Sequence, residues 1–318
     1  MSGRLILAVD GGGSHGFFSH RIIQKLSKLD HGRVDLVVGV SAGAIIGALF
    51  AAKKMTSSEV LSLQGHARAI VGTKTDKGPW FGPTYSGLPK TKAIHALFGD
   101  MRFGDLDIDT AILVDCLGGT PEIFKSWEPA YRDIPIVQIL DATSAVPILF
   151  PPVVINHRQY IDGATVTNSP INIAHLLGLS RFPNESLSLL SIGTMKKPIV
   201  DHQNHKNFSS VDMGIIQLVT LGVPQKIMRQ GGFLTNELSA SVLGSRFLRI
   251  EGRITRAIDD VQAAESDCIS EGDAVWTKSL AALKTFLLCA KKPAEPAEPA
   301  EPAEPAEPAE PAESEQSE

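Results

Sequence analysis

Cysteine is scarce in this chain. Its three residues, Cys116, Cys268 and Cys289, are odd in number, far apart and without a C-x-x-C pair. That excludes a disulfide framework or a zinc ribbon, and it fits reduced thiols in a cytosol-like compartment. Long apolar runs are missing as well. Leu5 to Val9 stops at Asp10, too short for a secretory core, and Met1-Ser2 lacks the glycine that myristoylation needs. Leu36 to Ala52 runs seventeen residues without a charge, at the lower limit for a membrane span. Gly39, Ser41, Gly43 and Gly47 interrupt it, and Val37-Val38 favour a strand, so a strand–turn–helix is expected instead. Basic charge is not in excess either: the formal net charge is −5, and no nucleic-acid partner is expected.

Metal-binding patterns also fail on inspection. Asp105, Asp107 and Asp109 begin like a calcium loop, but Thr110 stands where glycine is required and Cys116 where the closing acid is required. His202 and His205 sit in a polar stretch and read as a solvated pair. No metal and no cofactor are expected.

What is present divides into two regions. From Pro293 to Glu313 the triplet Pro-Ala-Glu repeats seven times before Ser314-Glu315-Gln316-Ser317-Glu318. Proline at every third position forbids a helix and lacks sheet donors, so residues 293–318 are expected to be a disordered acidic tail. The tail holds nine acids and no bases, which leaves residues 1–292 with 30 basic against 26 acidic side chains, a formal +4. Residues 1–292 are expected to form one domain. Within it, strand and helix signals alternate: Leu5 to Val9, a helix from Phe17, Asp35 to Val38, then a small-residue helix to about Lys54. Further strands are expected at Ala111 to Cys116, Glu122 to Phe124, Leu187 to Ser191 and Phe247 to Ile250. Helices are expected over Thr56 to Val71, Lys90 to Phe98, Met213 to Met228, Ile254 to Ala264 and Gly272 to Lys291. Thr73 to Pro89, with Trp80, Phe81 and Tyr85, reads as a loop that is either a lid or an aromatic-pinned connection. This order implies an α/β fold with a mostly parallel central sheet between helical layers.

Gly39-Val40-Ser41-Ala42-Gly43 has the form G-x-S-x-G between a strand and a helix. In that setting the turn lifts a serine out of the sheet, and the free N–H groups of the helix start face its oxygen. The pattern alone is common in glycine-rich chains. Gly11-Gly12-Gly13 also follows a strand and opens a helix, so its N–H groups can hold either a phosphate or the oxyanion of an acyl-transfer intermediate. Asp10 to Ser14 resembles the first phosphate segment of actin-like kinases, which keeps a kinase or ATPase reading open. A serine nucleophile needs a proton acceptor. None of the nine histidines occupies a distinctive setting, and Asp162, at the end of an apolar strand before Gly163, is the remaining candidate.

Three blocks in this order, Asp10-Gly11-Gly12-Gly13-Ser14-His15-Gly16, Gly39-Val40-Ser41-Ala42-Gly43 and Asp162-Gly163-Ala164, resemble the signature blocks of the patatin-like phospholipases. The run from Ala142 through Pro152, Asn168-Ser169-Pro170 and Leu190 to Thr194 resemble further family segments, so the similarity covers about Leu5 to Thr194. The resemblance implies a three-layer α/β/α fold and a Ser–Asp dyad without histidine. Ser41 is then the nucleophile and Asp162 the base, with Gly11, Gly12, Gly13 and Ala42 at the oxyanion hole. It implies a phospholipid or other fatty-acyl ester as substrate; the scarce cysteines and the +4 body add the expectation of a cytoplasmic protein that can act peripherally at membranes. Two departures stand out: His15 replaces the usual Arg or Lys of the glycine loop, and Ser169 replaces an Asn. A lipid-binding protein that kept the fold without the activity is the other reading.

Overall fold

Every side chain from Leu5 to Val9 is buried, because this strand lies mid-sheet with helices over both faces. A computed structural model describes residues 3–29, 33–58, 72, 74–76, 82–196, 236–253 and 261–290. In chain order its main elements are β1 (Arg4–Val9), α1 (Gly16–Leu26), β2 (Leu36–Val40), α2 (Ala42–Ala51), α3 (Leu88–Phe98), β3 (Asp109–Cys116) and β4 (Glu122–Lys125). There follow α4 (Ile136–Thr143), β5 (Val153–Ile155), β6 (Arg158–Asp162), α5 (Ile171–Arg181), β7 (Leu187–Lys196), β8 (Phe247–Arg253) and α6 (Val261–Ala290).

The sheet has eight strands in the order β5-β6-β3-β2-β1-β7-β8, with β4 paired to β3 off that path. The run from β3 to β8 is parallel; β4 and β6 lie antiparallel to β3. Side-chain alternation along each strand builds two apolar layers. Leu5, Leu7, Val9, Val37, Ile112 and Val114 face one side, with the buried residues of α1, α2, α4 and α6. Ile6, Ala8, Leu36, Val38 and Ala111 face the other, with Ile171 and Ala174 of α5. The result is the expected three-layer α/β/α arrangement.

Leu36 to Ala52 is strand, turn and helix rather than a span, and no helix among the described residues is long and apolar enough to cross a membrane. The helix α2 stops at Ala51 rather than Lys54, because Lys53 turns to φ +55° and the Lys54 N–H closes on the Leu49 carbonyl. The two helices expected in the last stretch are one where the structure describes them: α6 runs unbroken from Val261 to Ala290. Gly272 is an interior residue of that helix, and a side chain there would press on Arg21 of α1 at 3.0 Å. It is a packing glycine and not a helix start. The expected helices over Met213 to Met228 and most of Thr56 to Val71, together with Trp80, Phe81, His202, His205 and the acidic tail, lie outside the described residues.

Candidate active site

Ser41 closes β2 and caps α2 at φ +54° and ψ −132°, a conformation that costs a non-glycine residue about 1–3 kcal/mol. The turn is tight on every side. A side chain at Gly43 would strike the Val9 and Asp10 carbonyls, and one at Gly39 would sit 2.6 Å from the Ala44 Cα. The Ser41 N–H donates to Thr143 Oγ1 at 3.0 Å, and that hydroxyl donates onward to the Leu113 carbonyl at 2.6 Å. The Ser41 backbone is therefore tied to α4 and β3. The first turn of α2 carries no acidic side chain, so the positive end of the helix dipole at Ser41 is not neutralised there.

Asp162 reaches this serine from the other side of β3. Because β6 runs antiparallel to β3, its last residue pairs with Val114, one position past Leu113, which pairs with Val40. The Ser41 hydroxyl donates to Asp162 Oδ2 at 2.7 Å, and the Ala164 N–H donates to Oδ1 at 2.8 Å. Asp162 is fully buried. Burial pushes its carboxyl up to about 6, against the opposing pull of the Ala164 and Ser41 hydrogen bonds and the Lys90 charge. Gly163 is needed for this approach, since a side chain would collide with the Leu113 carbonyl.

The glycine loop packs directly on the serine. A Cβ at Gly11 would lie 3.1 Å from Ser41 Cβ, and one at Gly12 would strike Thr194. Gly13 has φ +54°, and the His15 N–H closes the turn on the Gly12 carbonyl at 3.1 Å. Of the four residues expected at the oxyanion hole, Gly11 needs correcting. Its N–H donates to the Asn168 carbonyl at 2.9 Å while Asn168 Nδ2 donates back to the Gly11 carbonyl at 2.8 Å, so that amide is already committed. The N–H groups of Gly12, Gly13 and Ala42 have no protein acceptor among the described residues. Below the loop, Asp10 is buried and held by Arg249 through Nη2 at 2.6 Å and Nη1 at 3.2 Å, with Ser169 Oγ donating at 2.9 Å. Ser169, the departure from the family pattern, thus supports the loop through its hydroxyl.

Asp162 is the hydrogen-bond partner of the Ser41 hydroxyl among the described residues; no described histidine is. His20 is instead buried on α1, where desolvation and then Arg21 push it down to about 4. The aspartates of the rejected calcium pattern face cations: Asp107 meets Lys53 at 3.5 Å and Asp109 meets Arg181 at 2.8 Å. Cys268 is buried, and desolvation pushes its thiol up to about 12, the setting of an inert residue. Two charged residues near the site escaped the sequence reading. Lys90 falls on the buried stripe of α3 with Ile94 and Leu97, and a lysine in an apolar stripe was the available signal. Arg249 interrupts the apolar start of β8, and its partner Asp10 lies 239 positions away. Burial would lower the Arg249 ionisation, but Asp10 and Glu251 outweigh it and keep the guanidinium charged.

A family model described as patatin-like phospholipase matches residues 7–175. CotR of Bacillus subtilis (strain 168), provisionally described as a sporulation hydrolase, is 23% identical over 282 residues, covering 78% of this chain and 87% of CotR. Among solved structures, VipD from Legionella pneumophila superposes with a TM-score of 0.46 at 12% identity, over 89% of this chain and 67% of VipD. The type III effector protein ExoU superposes with a TM-score of 0.35 at 13% identity, over 90% of this chain; the chain spans 54% of ExoU.

Proposed function

Because the chain belongs to the patatin-like phospholipase family, we propose that it is a lipid acyl hydrolase that cleaves a phospholipid, lysophospholipid or related fatty-acyl ester with a Ser41–Asp162 dyad. The observation that carries this reading is the 2.7 Å hydrogen bond from a backbone-strained serine to a fully buried carboxylate. In the first half-reaction Asp162 takes the Ser41 proton as Ser41 Oγ attacks the ester carbonyl. The N–H groups of Gly12, Gly13 and Ala42 receive the oxyanion, at the positive end of α2. Collapse breaks the ester C–O bond, and Asp162 returns its proton to the leaving alcohol. A water deprotonated by the same carboxylate then attacks the acyl-serine, and the fatty acid leaves with Ser41 reprotonated. Asp162 must be ionised to begin, so activity should fall on the acid side with a midpoint near pH 6, where its carboxyl titrates.

The competing phosphate role for the glycine loop is less well supported. The Gly11 Cα packs against the serine, and Asn168 closes the Gly11 peptide on both sides. The test is a fluorophosphonate probe together with a fluorogenic acyl ester, applied to wild type, Ser41→Ala and Asp162→Asn. Wild type should label and hydrolyse. Both variants should lose at least about 10³-fold in kcat/KM, and full activity in either one overturns the dyad. A chain that binds lipid without catalysis, or that binds ATP, would leave wild type unlabelled.

A further inference from the structure

Lys90 is a buried ammonium that the dyad chemistry leaves unused. Only 4% of the residue is exposed. Its Nζ donates to the Asp141 carbonyl at 2.7 Å and to Ser144 Oγ at 3.2 Å, lies 2.9 Å from Asp141 Oδ1, and stands 4.8 Å over the Phe150 ring. Thr91 Oγ1 donates to the other Asp141 oxygen at 2.7 Å. Burial works against the charge on Lys90, and Asp141 works to keep it. A buried ion pair of this kind is a poor way to gain stability, since a well-packed apolar pair does as well or better. Something other than stability is therefore needed to account for it.

Its position supplies the reason. The chain from Asp141 to Ala145, at the end of α4, contacts Lys90 through Asp141 and Ser144. Through the residues between and after them it holds the dyad: Thr143 Oγ1 accepts the Ser41 N–H at 3.0 Å, and the Ala145 carbonyl accepts the Asp162 N–H at 3.0 Å. The Lys90 charge also acts on the Asp162 carboxylate directly. We propose that Lys90 is a positioning residue for the dyad: through Asp141 and Ser144 it clamps the 141–145 segment, which holds the backbones of both Ser41 and Asp162. This rests on the dyad reading above. The groups that bear on the Asp162 carboxylate are the Ala164 N–H after β6, Ser41 from the α2 turn, and Lys90 from α3 with Asp141 of α4 behind it. Asp115 of β3 instead accepts from Thr165 at the exposed edge.

The experiment compares pH profiles of kcat/KM, and of fluorophosphonate labelling, for wild type, Lys90→Met and the double variant Lys90→Met/Asp141→Leu. The single variant strands a buried carboxylate and can fail to fold. The double variant refills the space with apolar side chains of similar volume, so its folding should survive, as thermal melting will report. In any folded variant without the cation, the acid-side midpoint should move upward, the direction in which loss of the Lys90 charge takes the Asp162 carboxyl. kcat at pH 6 should fall several-fold with KM unchanged. A double variant that folds and keeps both the wild-type kcat and the wild-type midpoint overturns the proposal, whatever its stability. A wild type that neither labels nor hydrolyses overturns the dyad reading itself, and the two failures are thereby distinct.

Discussion

Asp162 works against the stability of the fold that holds it. Its carboxyl sits at about 6 because it is desolvated, against 3.8 for the unperturbed group. The folded state therefore holds the ionised form at a cost of about 3 kcal/mol above pH 6. The sign follows from proton binding. As pH falls from about 6 towards 4, the native state takes up its proton before the unfolded chain does, and stability from this group rises; below both values nothing more is gained. An asparagine keeps the shape, can accept from Ala164 N–H and can donate to Ser41 Oγ, and carries no charge. Asp162→Asn should therefore be inactive yet more stable than wild type at pH 7.5, by roughly 1–3 kcal/mol in urea denaturation. The gap should narrow by pH 4.5. A destabilised Asp162→Asn at neutral pH would mean that the carboxylate is held by more than the Ala164 and Ser41 hydrogen bonds and the Lys90 charge. Ser41 carries a second cost of the same kind in its left-handed backbone. Both residues of the proposed dyad are kept by the surrounding packing and not by their own preferences.

Elements were legible in the sequence wherever the cause was local. The buried strands announced themselves as apolar runs, and β1, β2, β3 and β7 lie where those runs predicted. Ser41 and the glycine loop stood out as candidates because a turn between strand and helix is written within a few neighbouring residues, whereas Asp162 took its expected role from the resemblance of Asp162-Gly163-Ala164 to a family block. The supports of the site were not readable, because each joins residues distant in the chain. Ser41 meets Thr143 across 102 positions, Lys90 meets Asp141 across 51, and Arg249 meets Asp10 across 239. Gly11 misled for a related reason: a glycine triplet shows which amides could converge, but not that Asn168 already takes one. The extent of α6 was missed because a helix glycine reads as a break until its neighbour α1 is known. Arg249 shows what such distant pairing is worth. Strand β8 lies beyond the family-matched residues 7–175, yet its guanidinium is the charge partner of the buried aspartate beneath the glycine loop. Arg249→Met should strand Asp10 without a cation and destabilise the fold by about 3–5 kcal/mol. Chemical denaturation measures it; a loss below 1 kcal/mol would show that Ser169 alone satisfies the carboxylate.

At the scale of the whole molecule, charge is divided along the chain. Residues 1–292 carry a formal +4, and residues 293–318 carry nine acids and no base. The last described helix remains part of the core to its end, with Leu283, Phe286, Leu287 and Ala290 buried. A domain boundary proposed near Lys292 thus falls where apolar packing gives way to the Pro-Ala-Glu repeat. If the fold and site are complete without the repeat, removing residues 293–318 should leave kcat/KM on a soluble short-chain ester unchanged. The effect should appear at a lipid surface instead. An anionic vesicle attracts the +4 domain and repels the −9 segment tethered to it, and the two act over a screening length of about 8–10 Å at ordinary salt. The shortened chain should sediment with phosphatidylserine-containing vesicles more strongly than the full chain. It should bind neutral phosphatidylcholine vesicles no better, and its advantage should fade as salt rises towards 1 M, where the screening length is about 3 Å. Equal sedimentation of both chains at low salt would remove the tail from any account of membrane attraction. A fall in soluble-ester activity would move the domain boundary past Lys292.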